Sequence, residues 1–175
     1  FLLIARLLKD KGIREYVAAA REVRKSYPHA RFLLLGAFDP NPSAIAEEEI
    51  ENWQEEGVIE YLGTTEDVRP VLSRARFYVL PSYYREGVPR TVLEAMSMGR
   101  PIITTDAPGC RETVVPGENG YLVPPRDPVK LAEAMISLLQ DSEKAKKMGE
   151  ASRKRALSIF DVDRVNRQML KIMEI

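Results

Sequence analysis

The feature that most restricts the fold of this chain is a regular alternation of short apolar runs with segments of helical periodicity. The apolar runs lack strict polar–apolar alternation, which is typical of strands buried on both faces of a parallel sheet. The predicted strands are Phe1–Leu7, Ala30–Gly36, Val58–Gly63, Arg76–Pro81, Pro101–Thr105 and Gly120–Val123. The predicted helices are Ile13–Ser26, Ala44–Glu56, Asp67–Ala75, Arg90–Met98 and Pro128–Gln140. Repeated strand–helix units of this length predict an α/β fold with a doubly wound parallel sheet.

Composition excludes several classes of protein. With 175 residues, 45% of them apolar and 30% charged, the chain is long enough for one buried core and too apolar for disorder. Basic and acidic residues each number 26, so the zero net charge argues against nucleic acid as a partner. The longest run without a charged residue, Phe77 to Tyr84, is too short to span a bilayer. A single cysteine, Cys110, and a single histidine, His29, indicate a cytoplasmic protein without a zinc cluster.

Both ends of the chain carry information about its context. The sequence opens directly on the apolar segment Phe1–Ala5, with no initiator methionine or signal peptide, so we expect a piece of a longer protein. Residues 142–175 hold 9 basic and 5 acidic side chains and are expected to be helical, with Val165, Met169, Ile172 and Met173 on one side. This tail is either a solvated surface helix or one that packs on the missing part of the protein or on an anionic membrane face.

The loop from Pro81 to Glu94 has the features of a phosphate site. It follows a buried strand and leads into an apolar helix, and ligands of such sheets bind at loops of this kind. Pro89 suits the first turn of the helix, where a missing amide hydrogen costs nothing. The amides of Arg90, Thr91 and Val92 would then be unpaired and would point towards a bound phosphate.

Two carboxylates, Glu86 and Glu94, flank this helix start. They would lie ~12 Å apart along the axis if the chain between them were wholly helical. A phosphate held between them suits a ligand with hydroxyl groups at both ends, which is the shape of a nucleotide sugar. The alternative is that Glu86 is a loop charge and Glu94 a buried, capped carboxylate.

A basic loop follows the first predicted strand at the same edge of the sheet. Arg6 and Lys11 could neutralise a diphosphate in a pocket where carboxylates alone would repel it. Gly12 permits a close approach of the chain at the start of the next helix. A lysine near a strand end is usually solvated, but its combination with a carboxylate-flanked helix start favours a diphosphate site.

The order and spacing of these residues resemble a known family. The segments Arg6 to Gly12, Glu86-Gly87-Val88-Pro89 to Glu94, and Asn119 to Val123 resemble the C-terminal half of the retaining glycosyltransferases of family 4, also called group 1. The likeness covers essentially the whole chain. The segment Thr104 to Glu112 is similar to the subset that builds capsular, lipopolysaccharide or lipid-linked glycans. Ala5 departs from the family pattern, which has glycine there, and is expected to narrow the site slightly.

The resemblance implies a GT-B architecture, in which two Rossmann-like domains enclose the active site between them. Residues 1–160 would be the donor-binding domain, and 161–175 a C-terminal helix that packs towards the missing N-terminal domain. The donor would be a nucleotide sugar, with UDP as the expected nucleotide, and the acceptor a glycan or a lipid-linked glycan. The resemblance implies no metal and no cofactor, because arginine and lysine stabilise the leaving phosphate. The full-length protein is expected in the cytoplasm, either free or in peripheral contact with the inner face of the membrane.

The resemblance also assigns roles to individual residues. Glu86 would be the catalytic residue, which binds the donor sugar hydroxyls and sets the geometry at the anomeric carbon. Glu94 would hydrogen-bond the ribose, and Arg6 and Lys11 would hold the diphosphate. The remaining donor-binding residues are Gly87, the backbone amides of Thr91 and Val92, and the Leu62–Gly63 loop, which would face the base.

Two other interpretations retain the phosphate site. A sugar-nucleotide epimerase or a phosphorylase of the same architecture would keep it, but explains the Arg6–Lys11 loop and the paired glutamates less well. A non-catalytic subunit that binds nucleotide sugars would keep Glu94 and the phosphate site, yet could dispense with Glu86.

Overall fold

The computed structural model describes residues 1–85 and 87–173, and within them it confirms the predicted α/β fold. The strands of these residues are β1 (Leu2–Ile4), β2 (Leu33–Leu35), β3 (Glu60–Tyr61), β4 (Tyr78–Leu80), β5 (Ile102–Thr105) and β6 (Gly120–Val123). The helices are α1 (Ile13–Ser26), α2 (Glu47–Glu55), α3 (Arg69–Arg74), α4 (Arg90–Ser97), α5 (Pro128–Gln140), α6 (Ser142–Ile159) and α7 (Val162–Ile172). Two short 3-10 helices, Lys9–Lys11 and Arg111–Thr113, lie in the loops after β1 and β5.

The strand order places one pair of loops at the centre of the sheet edge. All neighbouring strands are parallel, in the order β3-β2-β1-β4-β5-β6. The chain therefore runs outwards from β1 to β3 and then returns past β1 to β4. This reversal between β1 and β4 is the topological switch point, and open α/β sheets bind ligands outside the carboxyl ends of their strands at such a point.

The core lies between the sheet and the helices on its two faces. Leu3 of β1, Leu34 of β2 and Val79 of β4 are fully buried, as expected for strands covered on both sides. Helix α1 packs against α5, and α4 packs against α6. The hydroxyl of the buried Tyr78 donates to the Ile4 carbonyl at 3.2 Å and so fixes β4 beside the end of β1.

Several predicted elements are longer than the observed ones, because buried residues at their ends bond to loops. Leu7 is buried, but its amide donates to the Ala37 carbonyl and its carbonyl accepts from Ile45, so it lies outside the β1 ladder. The amides of Val58 and Ile59 donate to the Trp53 carbonyl at 3.0 and 3.5 Å. These two residues therefore belong to the turn after α2, and β3 starts only at Glu60.

The basic tail forms two helices rather than one. The second helix starts anew because the Asp161 carboxylate caps it, accepting from the Arg164 amide at 3.1 Å. No residue of α7 is buried, and the exposed apolar side chains of this part of the chain include Met169 and Ile172. The packing of 161–175 on another domain stays a prediction. No helix within residues 1–85 and 87–173 has both the length and the apolar character that crossing a bilayer requires.

Candidate functional site

The loops after β1 and β4 are in close backbone contact at Gly12. This residue has a φ of +76°, and a Cβ added to it would lie 2.2 Å from the Pro81 carbonyl oxygen. The amides of Tyr83 and Tyr84 donate to the Asp10 carbonyl at 2.9 and 3.2 Å. The two loops therefore form one continuous rim at the switch point, and glycine is required where they touch.

A cavity of about 230 Å³ lies between this rim and the start of α4. Its lining includes Arg6, Lys11 and Thr91, three residues that the sequence analysis assigned to the diphosphate. Lys11 is 8% exposed, and its ammonium group lies 4.9 Å from the centroid of the Tyr84 ring. The structure thus brings the two predicted cations to the start of the predicted helix.

Asp39 is a neighbour of this cavity that the sequence analysis missed. Its Oδ2 accepts from Arg6 Nη1 at 2.8 Å, and its Oδ1 accepts from the Asn41 amide at 2.9 Å. The carboxylate is 13% exposed, so a turn after β2 holds it in place beside the exposed Arg6 guanidinium. The proline-rich sequence around Asp39 indicates a turn, but it contains no signal for a partner 33 residues away.

Helix α4 starts at Arg90, as predicted. Pro89 is the residue before the helix rather than part of its first turn, and its carbonyl accepts from the Val92 amide at 3.1 Å. The expectation that the Val92 amide is unpaired is therefore wrong, because the carbonyl of the capping residue reaches it. Among the described residues the amides of Arg90 and Thr91 have no hydrogen-bond acceptor, so these two donors remain available at the start of α4.

Glu94 lies on α4 beside a larger cavity of about 770 Å³. Its side chain is 28% exposed, and its Oε1 accepts from Arg90 Nε at 3.0 Å, while the Arg90 side chain is 89% exposed. Glu94 is therefore neither fully buried nor bonded to a helix cap. The same cavity is lined by residues 66–69 at the start of α3, none of which the sequence analysis had proposed.

Of the other predicted site residues, Leu62, Gly63 and Gly87 lie apart from the two cavities. Leu62–Gly63 follow β3, two strands away from β1, and line neither cavity. The Gly63 carbonyl accepts from the Gly36 amide at 2.8 Å, which ties the loop after β3 to the loop after β2. Gly87 is exposed, with open space where a Cβ would lie, so nothing steric requires glycine there. Glu86, the predicted catalytic residue, lies outside the described residues.

Two carboxylates of the described site, Asp39 and Glu94, are each paired with an arginine rather than with each other. Within residues 1–85 and 87–173 no cluster of three or more His, Cys, Asp or Glu side chains is placed to hold a metal ion. Asp39 faces Arg6, and Glu94 faces Arg90. The binding of a nucleotide sugar without a metal ion stays a prediction.

Comparison with known proteins identifies the family. The sequence profile described as "Glycosyl transferases group 1" matches residues 1–141. The chain belongs to the group 1 glycosyltransferase family. The resemblance seen in the sequence is therefore confirmed.

Three relatives show how much of such a protein this glycosyltransferase domain represents. A Campylobacter jejuni N,N'-diacetylbacillosaminyl-diphospho-undecaprenol alpha-1,3-N-acetylgalactosaminyltransferase is 31% identical over 99% of this chain and 44% of its own length. The pneumococcal O-GlcNAc transferase GtfA, solved with UDP and GlcNAc, is 25% identical with a TM-score of 0.82, over 99% of this chain and 35% of its own. A solved C-terminal domain of the group 1 protein LpcC from Francisella tularensis is 26% identical with a TM-score of 0.78, over 92% of this chain and 86% of its own.

The coverage of these relatives supports one conclusion about the chain. The chain spans less than half the length of the curated relatives it matches, but nearly all of the isolated LpcC C-terminal domain. It is thus a C-terminal domain of a group 1 glycosyltransferase.

Proposed function

We propose that this domain binds the nucleotide-sugar donor of a retaining glycosyltransferase, with UDP as the nucleotide. One observation carries the proposal: Arg90 and Thr91 line both the 230 Å³ cavity and the 770 Å³ cavity. The two cavities are therefore neighbours that meet at the start of α4. A ligand with a diphosphate between a sugar and a nucleoside fits this arrangement, with the diphosphate at the shared residues.

The smaller cavity would take the diphosphate. Lys11 and Arg6 supply positive charge, and the amides of Arg90 and Thr91 supply donors at a helix N-terminus. Arg6 would exchange its contact with Asp39 for a phosphate oxygen. Surface ion pairs of this kind contribute about 0–1 kcal/mol, so the exchange costs little. The same groups would stabilise the charge that develops on the leaving diphosphate without a metal ion.

The larger cavity would take the nucleoside. The Glu94 carboxylate can accept hydrogen bonds from the ribose hydroxyl groups, since its contact to the exposed Arg90 is easily exchanged. Val68, Leu93 and Met98 line the same cavity and offer apolar surface to the base. In this proposal they take the position that the sequence analysis gave to Leu62–Gly63.

The transfer step would use the full-length protein. The bond between the anomeric carbon and the diphosphate oxygen breaks and releases UDP, a bond to an acceptor hydroxyl oxygen forms with the configuration retained, and the hydroxyl proton passes to the departing phosphate oxygen. Glu86 would bind the donor sugar hydroxyls beside that carbon. The acceptor would be a glycan or a lipid-linked glycan, held by a second domain in the cytoplasm or at the inner face of the membrane. The name of the Campylobacter jejuni relative, which includes a diphospho-undecaprenol-linked sugar, supports this class of acceptor.

Calorimetry of two glutamate variants tests the division of roles. Glu94→Ala is expected to weaken UDP and UDP-N-acetylgalactosamine alike by about 10- to 100-fold, because a hydrogen bond to a charged group is worth about 1.5–3 kcal/mol. Glu86→Ala is expected to spare UDP and to remove the sugar's contribution to affinity.

Ser97→Ala is the matched control for Glu94. Ser97 lines the same cavity, but its hydroxyl donates to the Leu93 carbonyl at 2.8 Å, so its removal should leave UDP affinity unchanged. Equal losses of UDP affinity in the two glutamate variants, or in Glu94→Ala and Ser97→Ala, would contradict the assignment.

A further inference from the structure

A second charged cavity lies at the opposite edge of the sheet from the donor site. It has a volume of about 370 Å³ and is lined by four cationic side chains, Arg76, Arg100, Lys146 and Arg153, and by one carboxylate, Glu150. We propose that this cavity, the amino-edge site, binds a phosphate-bearing anion other than the donor.

Three elements bring the four cations together. Arg76 and Arg100 each stand two residues before a strand, β4 and β5 respectively, and so lie at the amino edge of the sheet. Lys146 and Arg153 are seven residues apart on α6, which places them on one face of that helix. A Cβ added to Gly149 would lie 2.3 Å from the Gly99 carbonyl oxygen, so α6 packs directly on the turn before β5. Glycine at this contact is what allows the cations of helix and turn to converge.

Neutral oxygen atoms, not carboxylates, hold these arginines. Arg76 Nη2 donates to Ser142 Oγ at 2.8 Å, and Arg153 Nη1 donates to the Ser97 carbonyl at 2.9 Å. Arg100 Nη2 donates to the Ser73 carbonyl at 3.4 Å.

Several arginines elsewhere in the chain have carboxylate partners instead. Arg6, Arg14, Arg21, Arg31, Arg69, Arg90 and Arg111 each pair with a carboxylate within 4 Å, whereas Arg24 and Arg155 donate to main-chain carbonyls. Across residues 1–85 and 87–173, none of the four cations of the amino-edge site forms such a pair, although Glu150 lines the same cavity. Their positive charge is therefore available to a ligand.

Arg100 supplies an additional indication of a missing acceptor. Its Nε is buried and has no hydrogen-bond partner among the described residues. Buried donors of native proteins are nearly always paired, and an unpaired one is destabilising. An anion oxygen would satisfy this donor once the Arg100 side chain turns its Nε towards the cavity; Arg155, outside the cavity, has an unpaired buried Nε of the same kind. Ser142 can also contribute, because its oxygen accepts from Arg76 while its own proton is free to be donated.

The size and the donors of the amino-edge site indicate the class of ligand. A volume of about 370 Å³ lies at the lower end of the range for small-molecule sites. Guanidinium groups held in fixed positions favour phosphate oxygens, which accept two parallel hydrogen bonds. The ligand would be a phosphate or diphosphate group, either of a small soluble metabolite or of a lipid headgroup.

Calorimetry with pyrophosphate tests the proposal on the 175-residue chain at constant ionic strength, with excess UDP present to occupy the donor site. The double variant Arg100→Gln, Arg153→Gln is expected to weaken pyrophosphate binding about tenfold or more, and Lys146→Gln about threefold. Because the Lys146 side chain is exposed, Lys146→Gln should fold normally, and it tests the site even if the double variant does not fold. Arg21→Gln, which removes the same charge from α1, is expected to change nothing.

Two arms of the experiment complete the test. Sedimentation with phosphatidylglycerol vesicles and with phosphatidylcholine vesicles shows the source of the phosphate. If the chain binds phosphatidylglycerol vesicles and the double variant does not, the ligand is a lipid headgroup. If the chain binds pyrophosphate but no vesicles, the ligand is a soluble molecule. Absence of pyrophosphate binding, or an equal loss in Arg21→Gln, overturns the proposal. The result is independent of the donor site, because the substituted residues lie at the other edge of the sheet.

Discussion

The donor site and the amino-edge site hold their cations in different ways. At the donor site, Arg6 and Arg90 each pair with a carboxylate of the chain, Asp39 and Glu94. In the amino-edge site, the three arginines donate to main-chain carbonyl and hydroxyl oxygens and keep their charge unneutralised, although Arg31, elsewhere on the same edge, pairs with Glu60. The first arrangement suits a site in which a bound ligand replaces the chain's own carboxylates as the partner of each arginine. The second leaves a positive potential that attracts anions.

This difference shows that counting cations does not identify a binding site. Arg6 and Arg76 are both exposed arginines near a strand end, but only the partners of each group reveal how much charge a ligand meets. The chain has no net charge, so such local imbalances are what determine where an anion binds.

The largest effect concerns the backbone contact that fixes the carboxyl edge. Gly12→Ala is expected to destabilise the fold by about 3 kcal/mol, because it combines a left-handed residue with a clash against Pro81. Gly63→Ala is the matched control, since Gly63 has a similar φ of +70° and open space around the added Cβ. That variant should lose about 1 kcal/mol. Urea unfolding measures both, and equal losses would show that the rim contact does not constrain the site.

The next effect concerns the charge that faces Arg6. Asp39→Asn is expected to tighten UDP binding about two- to fivefold, because the diphosphate no longer competes with a carboxylate for the guanidinium. Glu56→Gln removes the same charge from the pair with Arg21 and should leave UDP affinity unchanged. Weaker binding by Asp39→Asn in calorimetry would mean that Asp39 instead orients Arg6 for the donor.

The smallest effect is a difference in the pH dependence of stability. Arg14, at the start of α1 and therefore at the carboxyl edge, donates to both Glu49 oxygens at 2.8 and 2.9 Å, and this lowers the Glu49 pKa below its ordinary value of 4.5. The stabilisation by this pair is present above pH 4.5 and is lost as the pH falls through the lowered pKa.

Arg14→Gln should therefore lose up to about 1 kcal/mol of stability at neutral pH and approach the wild-type stability in acid. Arg153→Gln should change stability by the same amount at both pH values, because its acceptor is the Ser97 carbonyl. Unfolding experiments at neutral pH and at about pH 3 measure the contrast. If the loss of stability in Arg153→Gln also depended on pH, the contact of Arg153 to a carbonyl would not differ from the contact of Arg14 to a carboxylate in the way we expect.

The sequence predicts the architecture well where local signals mark the ends of elements. The bounds of α1 agree with the prediction, since Gly12 precedes it, and those of α5 agree because Asp127 caps the helix, accepting from the Lys130 amide at 2.9 Å. The strand β6 also matches its predicted range. Strands β1 and β3 are overpredicted, because burial alone cannot distinguish a ladder residue from a buried loop residue.

The site is only partly predictable, because its missing members depend on contacts between distant segments. The sequence predicts that Arg6 and Lys11, after the first strand, and Thr91, at a helix start, share one phosphate site, and the three residues line one cavity. It could not reveal that Asp39 meets Arg6, nor that residues 66–69 line the cavity of Glu94. Those contacts depend on the conformations of the loops after β2 and β3. Hydrophobic periodicity predicts helices and strands, but it does not predict the conformation of a loop.

The most direct test of the donor site is calorimetric titration of the chain with UDP in EDTA. We expect one UDP per chain, with affinity unchanged by added magnesium or manganese, because the chain supplies the counter-charges itself. Lys11→Gln should weaken UDP binding about tenfold or more, and Arg153→Gln, at the opposite edge, should leave it unchanged. Binding that requires a divalent metal, or that is lost in Arg153→Gln and kept in Lys11→Gln, would contradict the account.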